Sequence, residues 1–324
     1  MKKRFFVLFF AIVLCLTGCS GSSTEDDGKT TVSCSIFPIY DWTVNLTAGD
    51  DNIDVNLLVN NGTDMHSFKP TAEDVMNVVE SDIVIYVGGE SDEWLREVLE
   101  KNPKDGREEI CLMDSLQMQL LDEEIVEGMQ EEHEHNHEEA AEEHEHEGEY
   151  DEHIWMSLEM ARKSIDIIHD ELSSIENTDT LELNYQNYSN SLDTLNEQYI
   201  EMVTSAKENL IIVTDRFPFR YLCDEYDIDY YAAFPGCSSE SNADFETIVF
   251  LAEQLKEKDI DAVVVTESDS ANISQAVIEA SEKTDVEVLR IDSLQTVDYG
   301  DIENGAHYID IMRSNMEQLR SALN

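Results

Sequence analysis

The sequence predicts an α/β protein of two lobes with largely parallel sheets joined by one long rigid helix. Three observations carry that prediction. Short apolar, β-branched runs bounded by turn residues recur in both halves, helical patterns lie between them, and one long amphipathic stripe separates the two sets. At 324 residues the chain is too long for one typical domain and comfortable for two with real cores.

In the first half the apolar runs are 32–37, 55–59 and 83–87; in the second they are 210–214, 229–233, 262–266 and 286–291. Runs of this length without polar alternation read as strands buried on both faces, which is the pattern of parallel sheets. Segments 71–80, 92–99, 244–257 and 270–283 carry the helical period. Between the halves Tyr188, Leu192, Leu195, Tyr199, Met202 and Ala206 follow at steps of 4, 3, 4, 3 and 4, one stripe along one helix. A helix packed on a single domain would give the same period, but its position between two sets of βα units favours an inter-lobe helix. The expected organisation is a first lobe over 31–180, the helix over 181–208 and a second lobe over 209–324.

At the N-terminus Lys2, Lys3 and Arg4 precede an apolar run over 5–16 and the tetrad Leu16-Thr17-Gly18-Cys19. A positive start, an apolar stretch too short to span a bilayer stably and a small residue before the cleavage point read as an export signal over 1–18. The tetrad resembles the lipobox of bacterial lipoproteins, which implies acylation of Cys19 and an extracytoplasmic protein anchored to the cell membrane by that lipid. An uncleaved anchor or an ordinary signal peptide is the alternative. Residues 19–30, mostly Ser, Gly, Thr and Asp, read as a solvated tether.

A formal net charge of −52 excludes nucleic acid as a partner, because phosphate is repelled, and makes cations natural ligands, although solubility accounts for much of it. Outside the leader the thiols are Cys34, Cys111, Cys223 and Cys237, whose wide spacing carries no metal signature. Cys34 and Cys111 read as buried, and Cys223 and Cys237 as either free or bridged. Segment 122–149 is built mainly from Glu and His, including His133, His135, His137, His144 and His146. It cannot bury a core and reads as a mobile surface loop. Its imidazoles suit weak, exchanging metal sites near the cleft; blocking the cleft when metal is abundant, or simple solvation, are the other readings.

Of the remaining histidines, His66 follows a predicted strand and precedes a helix, and the C-terminal end of a strand is where open α/β sheets bind ligands. His153 lies at the end of the acidic segment. Alone, each is more often a surface or hydrogen-bonded residue than a ligand. Together they sit in two motifs. Gly62, His66, Phe68 and Pro70 match Pro-Gly-x-x-x-His-x-(Phe/Tyr)-x-Pro, and Asp151, His153 and Trp155 match Asp-Pro-His-x-Trp with Glu152 in place of Pro. Through these motifs the chain resembles the zinc/manganese-type (cluster A-I) solute-binding lipoproteins of ABC importers, from about residue 32 to 323. The resemblance implies a monomeric, non-enzymatic protein that takes a divalent transition metal, zinc first and manganese second, into the inter-lobe cleft and delivers it to an ABC permease.

It also implies His66 and His153 as the first two ligands. The second lobe departs from the family pattern. Aligning Phe219 and Tyr221 with the family's aromatic pair puts Arg216 where a His or Glu ligand belongs. A guanidinium stays protonated and offers no lone pair. Asp215, one residue earlier, either takes that role or pairs with Arg216. The family's fourth ligand, an Asp in Gly-Asp-x-Tyr, is Ala306 here, with His307 beside it, and Glu267 after the strand 262–266 is better placed. The expected set is His66, His153, Asp215 and Glu267. Two imidazoles and two carboxylates neutralise a divalent ion and leave no obligatory open position, which suits capture. The alternatives are the same fold holding a metal chelate, or a secreted zinc metalloenzyme. Against the latter, none of the predicted helices carries His-Glu-x-x-His, a spacing met only inside the low-complexity Glu/His segment at 133–137, and there is no Gly-x-Ser-x-Gly elbow.

Overall fold

The computed structural model describes residues 28–130, 150–175, 178–238, 242–267 and 272–324. The export signal, Cys19, most of the tether and most of the Glu/His-rich segment lie outside the described residues. The first lobe runs β1 (Thr30–Cys34), α1 (Phe37–Leu46), β2 (Ile53–Leu57), α2 (Ala72–Glu80), β3 (Ile83–Tyr86), α3 (Glu93–Lys101), β4 (Glu108–Cys111) and α4 (Leu112–Ser115). After α5 (Leu158–Ile175) and α6 (Asp179–Ser205) the second lobe runs β5 (Leu210–Phe217), α7 (Arg220–Tyr226), β6 (Asp229–Pro235), α8 (Phe245–Glu257), β7 (Ala262–Val265), α9 (Asn272–Ser281), β8 (Glu287–Arg290), α10 (Tyr299–Glu303) and α11 (Tyr308–Ala322).

Both sheets are parallel, ordered β2-β1-β3-β4 and β6-β5-β7-β8. In each lobe the chain order reverses about the first strand, and the loops leaving the C-terminal strand ends part there to open a crevice. β3 and β7 are buried at every residue, as their unbroken apolar runs require. The run over 32–37 is shorter as a strand than expected. Pro38 at the start of α1 has a φ already suited to the first helical turn, so the helix begins at Phe37. α2 opens with a reciprocal cap: Thr71 Oγ1 accepts from the Asp74 N–H (3.2 Å) while Asp74 Oδ2 accepts from the Thr71 N–H (2.7 Å). β4, absent from the sequence reading, lies at a sheet edge with Glu108 and Glu109 exposed, so no apolar run marks it.

α6 buries Leu181, Tyr188, Ser189, Leu192, Leu195, Tyr199 and Met202. It packs on α1 and α5 on one side and on α7 and α11 on the other. Its polar groups grip both lobes. Tyr188 Oη donates to Asp41 Oδ2 in α1 (2.9 Å), and Tyr199 Oη donates to the Met312 carbonyl in α11 (2.6 Å). The main core is continuous across the lobes, with Trp42 of α1 edge-on to Tyr308 of α11 at 5.2 Å. Cys34, Cys111, Cys223 and Cys237 are free thiols, the first three buried. Among the described residues no helix is long and apolar enough to cross a membrane.

Candidate metal site

His66 is presented by a single turn of 3₁₀ helix, Met65–Ser67, beyond β2. Asp64 caps that turn by accepting from the His66 N–H (3.0 Å), and buried Met65 anchors it. His153 precedes a second such turn, Ile154–Met156, with Asp151 Oδ1 accepting from its N–H (2.8 Å). The second lobe clamps this segment. Tyr221 Oη donates to the Asp151 carbonyl (2.8 Å), Tyr308 Oη to the Trp155 carbonyl (2.6 Å), and Trp155 Nε1 to the Ser293 carbonyl (2.8 Å). His153 is consequently 0% exposed.

The two imidazoles meet Nε2 to Nε2 at 3.2 Å. His153 Nδ1 lies 2.9 Å from Asp151 Oδ1, and His66 Nδ1 lies 3.1 Å from Glu152 Oε1 and 2.7 Å from Ser91 Oγ. Ser91 donates its hydroxyl to Glu152 Oε1 (2.5 Å) and its N–H to Glu152 Oε2 (3.2 Å). The hydrogen-bond network therefore assigns the ring proton to Nδ1 in both residues and turns the two Nε2 lone pairs toward each other. Such an arrangement repels itself unless positive charge lies between the rings. Carboxylates on the far nitrogen are the usual orienting partners of metal-binding imidazoles. Two nitrogens in a tetrahedral zinc shell are about 3.3 Å apart, close to what is found.

The charges respond accordingly. Burial alone pushes Glu152 up, but the hydrogen bond from His66 and the nearby imidazoles outweigh it and hold the carboxyl below its usual range. Burial pushes His153 down, and the Asp151 carboxylate overrides it, for a net rise. Beneath them Asp92 accepts from the Val87 and Gly88 N–H groups (2.9 and 3.1 Å) and Ser35 Oγ (3.2 Å). Burial foremost, with the charge of Glu152 added, raises Asp92 from 3.8 to about 7. Because the folded value lies above the unfolded one, the stability tied to this carboxyl is full below about pH 4 and is lost as pH rises through about 7. Asp92→Asn should therefore be more stable than the parent near pH 8, by about 4 kcal/mol at most, with the advantage gone near pH 4. Thermal melts at both pH values check this; an unchanged difference would refute it.

A third side chain reaches the imidazoles from the second lobe. β6 ends in Pro235-Gly236-Cys237, and potential ligand atoms of His66, His153 and Cys237 all lie within 4.8 Å of one another. Gly236 makes this approach feasible: a Cβ there would stand 2.9 Å from His153 Cε1 and 2.9 Å from the Phe217 carbonyl oxygen. Cys237 Sγ donates to Glu152 Oε1 at 3.7 Å. Burial, then the charges of Glu152, Glu123 and Asp151, push the thiol up. A cavity of about 380 Å³ opens onto Cys237 and Glu152, and Glu90, Asp114 and Glu123 also line it.

Asp215 and Glu267 do not join this group among the described residues. Asp215 Oδ2 accepts from the N–H (3.2 Å) and Oγ1 (2.5 Å) of Thr266, and its Oδ1 accepts from the Arg216 N–H (2.8 Å). Glu267 accepts from the N–H (2.8 Å) and Oγ (2.5 Å) of Ser293, and burial with the neighbouring Asp292 charge raises it. Arg216 reaches across the lobes to Asp64 (2.6 Å), whose carboxyl is held down despite its burial. His307 pairs with Asp41 beside α6 at 3.2 Å. Sequence reasoning missed two participants. Glu152 looked only like a departure from a motif, and Cys237 lacked any paired spacing, although its position after a strand matches the rule that singled out His66.

Two doubly wound parallel lobes grip one helix, with ligand-type side chains from both lobes between them, which is a two-lobed α/β architecture with an inter-lobe crevice. The family model described as "Zinc-uptake complex component A periplasmic" (ZnuA) matches residues 32–322, and the chain belongs to that family. The zinc-binding lipoprotein AdcA of Streptococcus pneumoniae strain R6 is 28% identical over 323 residues, covering 99% of this chain and 61% of that protein. The chain thus spans less than two thirds of the length of that relative. The high-affinity zinc uptake system protein ZnuA of Bacillus subtilis is 26% identical over 333 residues, covering 100% of this chain and 99% of its own. The Zn(II)-bound ZnuA-like domain of S. pneumoniae AdcA superposes with TM-score 0.70 at 22% identity, covering 91% of this chain and 99% of that one. The periplasmic zinc-binding protein TroA of Treponema pallidum gives 0.72 at 20%, with the same coverage of 91% and 99%. At these identities the solved structures establish the fold.

Proposed function

We propose that this protein captures a divalent transition metal, zinc in preference to manganese, between its lobes and delivers it to an ABC permease. A lipid on Cys19 would hold it, as a monomer, at the outer face of the cell membrane. The facing Nε2 atoms of His66 and His153, each ring oriented by a carboxylate at Nδ1, carry the reading. The membership in a zinc-uptake family and the zinc named for AdcA and TroA support the choice of metal. Asp215 and Glu267, the second-lobe ligands expected from the sequence, are held instead by Thr266 and Ser293. An anionic chelate fits less well, because Arg216 is paired with Asp64 and Arg220 with Glu124 at 3.2 Å. The test is metal content by mass spectrometry, on the exported protein and on a form lacking residues 131–149. One zinc retained through dialysis by both forms is expected. Loss of all zinc and manganese from the shortened form would overturn the reading, because the metal would then belong to the His-rich segment.

A further inference from the structure

We infer that Cys237 is the third ligand of the captured ion, giving a two-imidazole, one-thiolate site that favours zinc over manganese. The inference rests on the metal-capture reading and adds the donor from the second lobe. Three independent features converge on it. Cys237 shares one ligand-sized cluster with His66 and His153. It leaves the C-terminal end of β6, on the crevice side of its sheet. Gly236 removes the side chain that would otherwise push the turn away from the His153 ring. By contrast, the two second-lobe carboxylates expected as ligands, Asp215 and Glu267, are bound to Thr266 and Ser293.

On coordination the sulfur–metal bond forms as the S–H bond breaks. The proton passes to Glu152 Oε1, 3.7 Å from the sulfur, and from there to solvent in the cavity that both residues line. A bound cation removes the electrostatic penalty that the surrounding carboxylates place on a thiolate. A thiolate is a soft donor that zinc accepts, whereas manganese prefers carboxylate, carbonyl and water oxygen. The donor also ties the ion to the second lobe, since both imidazoles come from the first-lobe side of the cleft.

The test is cobalt(II) titration of the full chain, followed by absorption. One equivalent should produce visible ligand-field bands together with a near-ultraviolet thiolate-to-cobalt charge-transfer band. Cys237→Ser should abolish the charge-transfer band, and Cys223→Ser should keep it. The same Cys237→Ser change should weaken zinc roughly a hundredfold while altering manganese by less than about threefold. Ligand-field bands without charge transfer in the parent protein would overturn the assignment and leave metal capture standing. Absence of any bound cobalt in the parent would sink both.

Discussion

Replacing His153 with alanine is expected to weaken zinc binding by roughly a hundred- to a thousandfold in protein lacking residues 131–149. A closed zinc site is worth about 10–16 kcal/mol, so one of three or four ligands carries about 3–4 kcal/mol. His153 is the better target of the pair. Its ring is fully buried and fixed by Asp151, so no neighbouring imidazole can swing in to replace it. The Asp151 carboxylate keeps the backbone N–H at 153 as a partner in the variant, which protects the turn. His169, stacked on Tyr185 at 4.0 Å, supplies the control, and His169→Ala should bind zinc as the parent does. Competition against a chromophoric chelator reads both affinities. Parental zinc affinity in His153→Ala would remove the imidazole pair from the site.

The second large effect is expected at Gly89. Its φ of +75° lies in the left-handed region, and a Cβ there would overlap the Glu152 carboxylate and meet Glu152 Cβ at 3.0 Å. Alanine carries an intrinsic cost of about 1–2 kcal/mol in that conformation. Displacing a buried carboxylate that serves Ser91 and His66 should bring the total to about 3 kcal/mol. Zinc affinity should fall as well, by about 10–100-fold, because Glu152 orients His66. Thermal melts and zinc competition on Gly89→Ala measure the two losses separately. Pairing the change with Glu152→Ala should recover the part of the loss due to the carboxylate, leaving the αL cost and the 3.0 Å contact with Cβ at 152. Parental stability and affinity in Gly89→Ala would mean that Glu152 does not depend on the bare backbone at 89.

These two sites bear on how the lobes cooperate. The His153 segment is held by Tyr221, Ser293 and Tyr308 of the second lobe, while His66 is held by Ser91 and Glu152 near the first-lobe strand ends. α6 and the shared core keep those two supports at a set distance. The geometry of the imidazole pair is thereby preset by packing, the arrangement that lowers the ordering cost of binding an ion there.

What the sequence determined by itself is the alternation of strands and helices, the parallel sheets and the apolar stripe of α6. All of these depend on local periodicity: buried strands need unbroken apolar runs, and a helix buries residues three and four apart. Its motifs, through the resemblance they carry, also singled out His66 and His153; the backbone N–H of each bonds to a carboxylate two positions earlier, Asp64 or Asp151. The edge strand β4 was hidden because solvent-facing Glu residues break its apolar run. Only the tertiary structure decided which other groups meet the imidazoles. Glu152 reaches His66 from far along the chain, Cys237 arrives from the other lobe, and Asp215 turns to Thr266 while Arg216 turns to Asp64. Asp215 and Arg216 lie where the pairing of β5 with β6 shifts register between Val213 and Arg216, a local irregularity that re-aims side chains and that no apolar pattern announces. Coordination and ion pairing depend on distances of a few ångströms between segments far apart in the chain, and those distances exist only once both lobes have packed on α6.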